Sequence, residues 1–442
     1  MMRRHNSLRR SAALGSAAVA LVAVAGCGSS GGNAQNSAAI PTTGAVTGTL
    51  QFDGSEDPSV YQPLISGFEA ANPGITVKYT EVPFAQYTSV LQQRLSAHDS
   101  SLDIFAVDQP NVASFAAHGY LQNLNQIGAA VKQSVIPTQY DVNVYKGTLY
   151  AAPISTSDQY LFYNTDLLKK AAVALPSSDP TQAWTWEQTL DAAQKAQQAG
   201  AADGLILEQT TAYYQLQPLS ESAGGGSGLG GANNLTPDIT NADWLKAMNW
   251  YHDLYSDGVA PRGVNPYSTF PLFTAGKVAL FVGGPWDISS AASTKGLDWG
   301  MAAMPYFAGG KRVTPTGGWS LGINPASKLK PAALKFLTYA SVDPAGDLLF
   351  TKNEANIPAN SQALAQYLPT LGGLGGRSSA DAAAITQYDV SYTAVARPVS
   401  VGYPQFETIM DQAFTDIQDG TSASSALNSA TQQITEAMRQ YQ

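Results

Sequence analysis

The spacing of apolar and polar positions changes period repeatedly from residue 48 onward. Thr49–Phe52 reads as a short strand ending in the turn-forming run Asp53-Gly54-Ser55. Leu64, Ile65 and Phe68 then share one helical face, and Asn72-Pro73-Gly74 stops that helix. Ile75, Val77 and Tyr79 alternate with polar residues, the period of a strand. Tyr87, Val90, Leu91, Arg94 and Leu95 return to helical spacing, Leu102–Val107 is an apolar strand, and Val112 and Phe115 open another helix. This alternation predicts an α/β fold, a parallel sheet with helices on both faces.

Further on, Tyr160–Tyr163, Leu205–Leu207 and Val278–Val282 read as strands, and Trp186–Gln198, Asp243–Tyr255 and Pro331–Ala340 as helices. The glycine-rich stretches Gly224–Gly231 and Gly372–Gly376 read as loops. Ligands of open α/β sheets bind outside the carboxyl ends of the strands. The loops after Phe52, Val107 and Val282 are therefore where side chains matter most.

A chain of 442 residues, 44% hydrophobic, has room for two or three domains with their own cores, which excludes wholesale disorder. Only 13% is charged, so polarity rests on Ser, Thr, Asn, Gln and Gly. A single cysteine excludes a disulfide framework and a multi-thiolate metal site.

Residues 1–26 read as a secretory signal: Arg3, Arg4, Arg9 and Arg10 precede an apolar run from Ala12 to Ala25. That run falls short of the about 20 apolar residues that span a bilayer. Without the four arginines, 20 basic residues face 33 acidic ones, a net −13. Such a balance argues against nucleic acid as a partner, because neutralising phosphates needs a basic face.

Several motifs carry no chemistry in their context. Gly226, Gly228 and Gly231 fit G-x-G-x-x-G, but no strand leads into them and no helix follows. Ser327 and Lys330 fit S-x-x-K without the partner motifs of penicillin-recognising enzymes. His5, His98, His118 and His252 are scattered, with no zinc-site spacing, so no metal is expected. Paired carboxylates for glycoside hydrolysis can be recruited from anywhere in a chain and stay an alternative.

The strongest local signal is Val278-Ala279-Leu280-Phe281-Val282-Gly283-Gly284-Pro285-Trp286-Asp287, a buried strand entering a turn that ends on an indole. Trp286 is either a core residue under that turn or a stacking platform for the apolar face of a sugar ring. Asp53 and Glu56 follow the first strand and Asp108 the third. They are either solvated loop charges and caps or acceptors for ligand hydroxyls, each such bond being worth about 1.5–3 kcal/mol. Gly317-Gly318-Trp319 sets two glycines and an indole before the strand Ser320–Ile323, and Arg397 and Tyr403 lie in a late extended segment.

Two resemblances organise these residues. Val24-Ala25-Gly26-Cys27, followed by a Gly/Ser/Asn-rich stretch, resembles a bacterial lipobox. It implies a lipid-modified Cys27, a flexible tether over 27–47, and attachment to the extracytoplasmic face of the cell membrane, where two acyl chains suffice for stable anchoring. The segments FEAANPGITVKYTEVPFAQYTSVLQQRLSA (68–97), LDIFAVDQPNVASFAAHGYLQNL (102–124), YKGTLYAAPISTSDQYLFYNTDLL (145–168), TWEQTLDAAQKA (185–196), FTAGKVALFVGGPWDI (273–288) and GGWSLGINPASK (317–328) are similar, in this order, to extracellular solute-binding proteins of carbohydrate ABC transporters of the maltodextrin-binding type.

The resemblance implies two doubly wound α/β lobes joined by a multi-strand hinge, lobe 1 being 48–155 plus 320–368 and lobe 2 being 156–319 plus 369–442. It implies a sugar closed between the lobes, no reaction and no cofactor, and delivery to two permease subunits with a cytoplasmic ATPase. It is compatible with a monomer. Trp286 matches the sugar-stacking tryptophan, Asp108 the carboxylate after the third strand, Asp53–Glu56 a sugar-contacting turn, and Tyr213 and Tyr214 an aromatic contact. Asp158 lies beside a matched acidic position that Ser157 occupies, and the segment after Ala396 brings in Arg397 and Tyr403. Gln109 and Glu407-Thr408 depart from the maltodextrin pattern, so the resemblance does not specify malto-oligosaccharide. The alternatives are an exported glycoside-active enzyme and a receptor for another solute, such as a glycerophosphodiester.

Overall fold

The computed structural model describes residues 39–41, 46–265 and 268–442. The expected signal 1–26, Cys27 and most of the expected tether lie outside the described residues. Among the described residues, no helix is long and apolar enough to cross a membrane.

Two separate sheets carry the fold. The first has the order Ile75–Glu81, Gly48–Gly54, Ile104–Asp108, Trp319–Ile323, Ala152–Pro153. Its first three strands are parallel, and Trp319–Ile323 runs antiparallel to both neighbours. The second has the order Trp299–Ala303, Tyr160–Asn164, Val278–Gly283, Asp203–Leu207. There Tyr160–Asn164 is antiparallel to both neighbours, while Val278–Gly283 and Asp203–Leu207 are parallel. Both sheets are therefore mixed, not purely parallel. The antiparallel strands Trp319–Ile323 and Tyr160–Asn164 are the ones that receive the chain as it arrives from the other sheet.

Local chemistry sets the helices. Asp57 caps Pro58–Ala71 by accepting from Ser59 N, and that helix buries Tyr61, Leu64, Ile65 and Phe68. Thr185 and Gln188 form a reciprocal capping box that starts Trp186–Gln198 at the residue its spacing predicts. Ser361–Gly373 is helical, so Gly372 and Gly373 end a helix and are not loop.

One core collects Leu50, Phe52, Phe68, Ile104, Phe105, Leu321, Phe336 and Phe350 around the first sheet. The second sheet is covered on both faces. Leu161, Leu205, Leu207 and Val282 meet Trp244, Phe406 and Phe414 on one side. Tyr160, Phe162, Ile206 and Phe281 meet Phe273, Tyr367 and Leu371 on the other. Alternate residues of one strand serve opposite faces, as the pleat requires.

The chain passes between these cores three times. Ile154 belongs to the first core and Tyr160 to the second sheet, Phe307 to the second and Leu321 to the first, Phe350 to the first and Ala355 to the second. Short pairs brace the passages: Ser155–Thr156 with Ile357–Pro358, and Thr314–Thr316 with Ala394–Ala396. The third passage thus precedes residue 369. Ser361–Gly373 touches both sides, with Leu364 on Ile136 and with Tyr367 and Leu371 on the second sheet.

Candidate ligand-binding cleft

Where strand ends of the two sheets face each other, two adjoining hollows of about 120 and 160 Å³ open. Phe84, Asp108, Gln209, Tyr214, Trp319 and Arg397 line both. Ser155, Thr156, Ser157, Trp286, Gly318 and Asn356 complete the first, and Tyr87, Thr88, Ala212, Glu407 and Asp411 the second. Each is smaller than the about 300–1,000 Å³ of a pocket for a drug-sized ligand. A larger hollow of about 500 Å³, lined by residues such as Ile127, Leu334 and Tyr339, involves only the first core and lies away from the strand ends.

Trp286 stands at the end of the turn after Val278–Gly283, half-exposed, against the first hollow. Its ring folds back over Gly284, where a Cβ would lie 2.3 Å from the indole. Only glycine leaves that space. The indole Nε1–H donates to Glu208 Oε1 at 2.7 Å, and Glu208 directly follows the neighbouring strand Asp203–Leu207.

Trp319 approaches from the first sheet. Gly318, at φ +148°, runs so close to Ser155 that a Cβ would meet its carbonyl oxygen at 2.2 Å, and Trp319 N donates to Ser155 Oγ at 2.9 Å. Its Nε1–H donates to Glu56 Oε1 at 2.5 Å, and its ring meets Phe84 and Tyr87 edge-on. Burial pushes Glu208 up to about 7. It does the same for Glu56, with repulsion from Glu354 adding to the shift.

Arg397 is buried beside Asp108. Its Nη1 donates to Asp108 Oδ2 at 2.8 Å, Nη2 pairs with Oδ1, and Glu407 Oε1 lies 3.4 Å from Nη1. The guanidinium sits over the Tyr214 ring at 5.3 Å. Tyr214 OH and Ser157 Oγ share a hydrogen bond of 2.9 Å, and Gly317 N donates to the same Ser157 Oγ. Asp411 is pushed up to about 8 by burial, with Glu407 adding to the shift.

The structure thus brings together Asp108, Tyr214, Trp286, Gly318, Trp319 and Arg397 from the sequence reading, with Gly317 beside them. It places Glu56 behind Trp319. Four residues lie elsewhere. Asp53 falls inside its strand, because that strand runs on to Gly54, and its carboxylate pairs with Arg94. Asp158 is fully buried and accepts from Thr386 Oγ1 at 2.8 Å, on the opposite side of an extended segment from Ser157. Tyr213 opens the helix Tyr213–Ala223 one position before Tyr214. Successive helical residues point about 100° apart, so Tyr213 faces the core against Phe406. Tyr403 is buried and its OH donates to Glu407 Oε1 at 2.7 Å.

Sequence reasoning missed Phe84, Ser155, Thr156, Glu208, Gln209, Asn356 and Asp411. Glu208 carried the signal available for Asp108, a polar residue at the end of an apolar strand, and Gln209 comes next.

The sequence model of the bacterial extracellular solute-binding protein family matches residues 53–346, more than half of the chain. The chain belongs to that family.

This solute-binding protein is 24% identical over 336 residues to the mannitol-binding protein of Pseudomonas aeruginosa, covering 72% of this chain and 74% of that one. It is 26% identical over 228 residues to a maltodextrin-binding protein of Bacillus subtilis, covering 49% and 51%. Among solved structures it is similar to an ABC substrate-binding protein of Listeria monocytogenes in complex with cycloalternan (TM-score 0.77, 21% identity, 89% of this chain and 99% of that one). It is also similar to the GacH receptor of Streptomyces glaucescens, described unliganded and with acarbose (TM-score 0.76, 24% identity, 90% and 100%). These likenesses give the two-lobed fold; the side chains of the cleft are this chain's own.

Proposed function

We propose that this solute-binding protein is the extracytoplasmic receptor of an ABC importer and captures a carbohydrate between its two cores. The observation that carries the reading is the pair Trp286 and Trp319. These two half-exposed indoles enter one small hollow from opposite sheets, with hydrogen-bonding groups around them. A sugar ring has apolar faces and a polar rim, and that hollow offers a partner for each. A micromolar dissociation constant corresponds to about 8 kcal/mol. Stacking and several charge-assisted bonds supply that order after ordering costs.

Relatives named for binding mannitol and maltodextrin support the same class. The lobes are 48–155 plus 320–350 and 156–319 plus 355–442, the last boundary moved from 369 to the passage between Phe350 and Ala355, and a ligand touching both favours their closure. The ligand-binding residues are Asp108, Tyr214, Trp286, Gly318, Trp319 and Arg397. Cys27 carries the lipid anchor, the chain acts as a single copy, and two permease subunits with an ATPase receive the sugar. No bond is made or broken.

A thermal-shift screen of the full chain against mono-, di- and oligosaccharides tests this reading, since a ligand that binds only the folded state raises its melting temperature. At least one sugar is expected to do so and to be recovered intact. New reducing ends that vanish on mutating a cleft carboxylate would make it a glycoside-active enzyme instead.

A further inference from the structure

One arrangement occurs twice in the cleft. On the side of the second sheet, Trp286 Nε1–H donates to Glu208 Oε1 at 2.7 Å. On the side of the first, Trp319 Nε1–H donates to Glu56 Oε1 at 2.5 Å. Each bond joins the ends of two strands of one sheet: Glu208 follows Leu207 and Trp286 follows Gly283, while Glu56 follows Gly54 and Trp319 opens its own strand.

Neither glutamate lines the hollows that their tryptophans face. Glu208 Oε2 is buried with no hydrogen-bond partner among the described residues, so that carboxyl is turned inward. The backbone holds both glutamates from behind: Glu208 N donates to Val282 O, Thr269 Oγ1 donates to Glu208 O, and Tyr79 OH donates to Glu56 O. A half-exposed indole is otherwise free to turn about two side-chain torsions. A bond at Nε1 fixes the ring at its edge, so it does not cover the ring surface that lines the hollow.

We propose that Glu208 and Glu56 are positioning residues that set the planes of Trp286 and Trp319, so that the cleft presents two fixed indoles before a sugar arrives. The inference rests on the carbohydrate reading for its purpose and on the two Glu–Trp bonds for its substance. Glu56, which the sequence offers as a sugar contact, then acts through Trp319. Pre-setting a ring removes the ordering cost that binding would otherwise carry.

The test uses the full chain labelled with nitrogen-15 at the indoles, with the two resonances assigned through Trp286→Phe and Trp319→Phe. Glu208→Leu is expected to shift the Trp286 indole N–H and to speed its exchange with water at least tenfold, leaving Trp319 in place. Glu56→Leu is expected to do the reverse, and Glu208→Gln and Glu56→Gln, which keep an acceptor, to restore most of the protection. Calorimetry with maltotriose and mannitol as probes follows: Glu208→Leu should weaken whichever binds by about five- to tenfold, and Glu208→Gln by no more than about twofold. Unchanged indole resonances in both leucine variants, with native melting curves, would overturn the proposal. If the resonances move as expected but neither probe binds the wild type, the positioning role stands supported and the choice of sugar fails.

Discussion

Arg397 grips both carboxylate oxygens of Asp108, its partner 289 positions away in sequence, with Nη1 2.8 Å from Oδ2. Asp108 ends a strand of the first sheet, and Arg397 lies just ahead of Tyr403–Gln418, a helix packed into the second core. The pair therefore fastens one side of the cleft to the other. It also means that Asp108 meets a ligand already neutralised, and is not a free acidic grip.

Removing one partner of a buried pair leaves an uncompensated charge, at a cost of about 3–5 kcal/mol. In Arg397→Gln that charge regains water if the cleft opens. The expected outcome is a larger radius of gyration by small-angle scattering without ligand, together with a lower melting temperature. Wild-type values for both would show that the pair does not hold the cleft.

Trp286→Ala and Trp319→Ala should each weaken sugar binding at least tenfold, about 1.4 kcal/mol, while leaving the fold intact. Both rings are half-exposed, Trp286 belonging to none of the cores and Trp319 packing on the edge of the first, so truncation removes stacking surface more than core packing. Titration calorimetry with circular dichroism as a folding control reads both quantities.

The buried carboxyls make stability depend on pH. Burial pushes Glu56, Glu208 and Asp158 up to about 7, and Asp389 and Asp411 up to about 8, from ordinary values near 4. Between those limits the folded chain holds protons that the unfolded chain has released. The stabilisation is thus complete below the unfolded values and is lost as pH rises through 7 to 8. Asp99, lowered to about 2 mainly by its bonds to Ser101, acts the other way only in strong acid. Melting temperature is expected to be higher at pH 5.5 than at pH 8.5, and Glu208→Gln should flatten that slope. A profile that rises with pH would contradict the assignment.

Much of the fold was legible because its signals are local. The period changes from 48 to 124 placed strands and helices in order, and the run into Gly283-Gly284-Pro285 aimed Trp286 at a strand end. Orientation was not legible. Tyr213 and Tyr214, or Ser157 and Asp158, are neighbours in sequence and point in different directions, and no composition rule separates them. Strand direction was also hidden, since the antiparallel strands Trp319–Ile323 and Tyr160–Asn164 depend on where the chain returns from the other sheet. Glu208 was missed because a lone carboxylate after three apolar residues looks like a solvated loop charge; its indole partner lies 78 positions away.

The most direct test titrates the full chain calorimetrically with the sugar that most raises its melting temperature, beside the variant carrying both Trp286→Ala and Trp319→Ala. The account predicts saturable binding near the micromolar range by the wild type, recovery of the sugar unchanged, and affinity lowered at least a hundredfold in the variant. Equal affinity in the two proteins would contradict it.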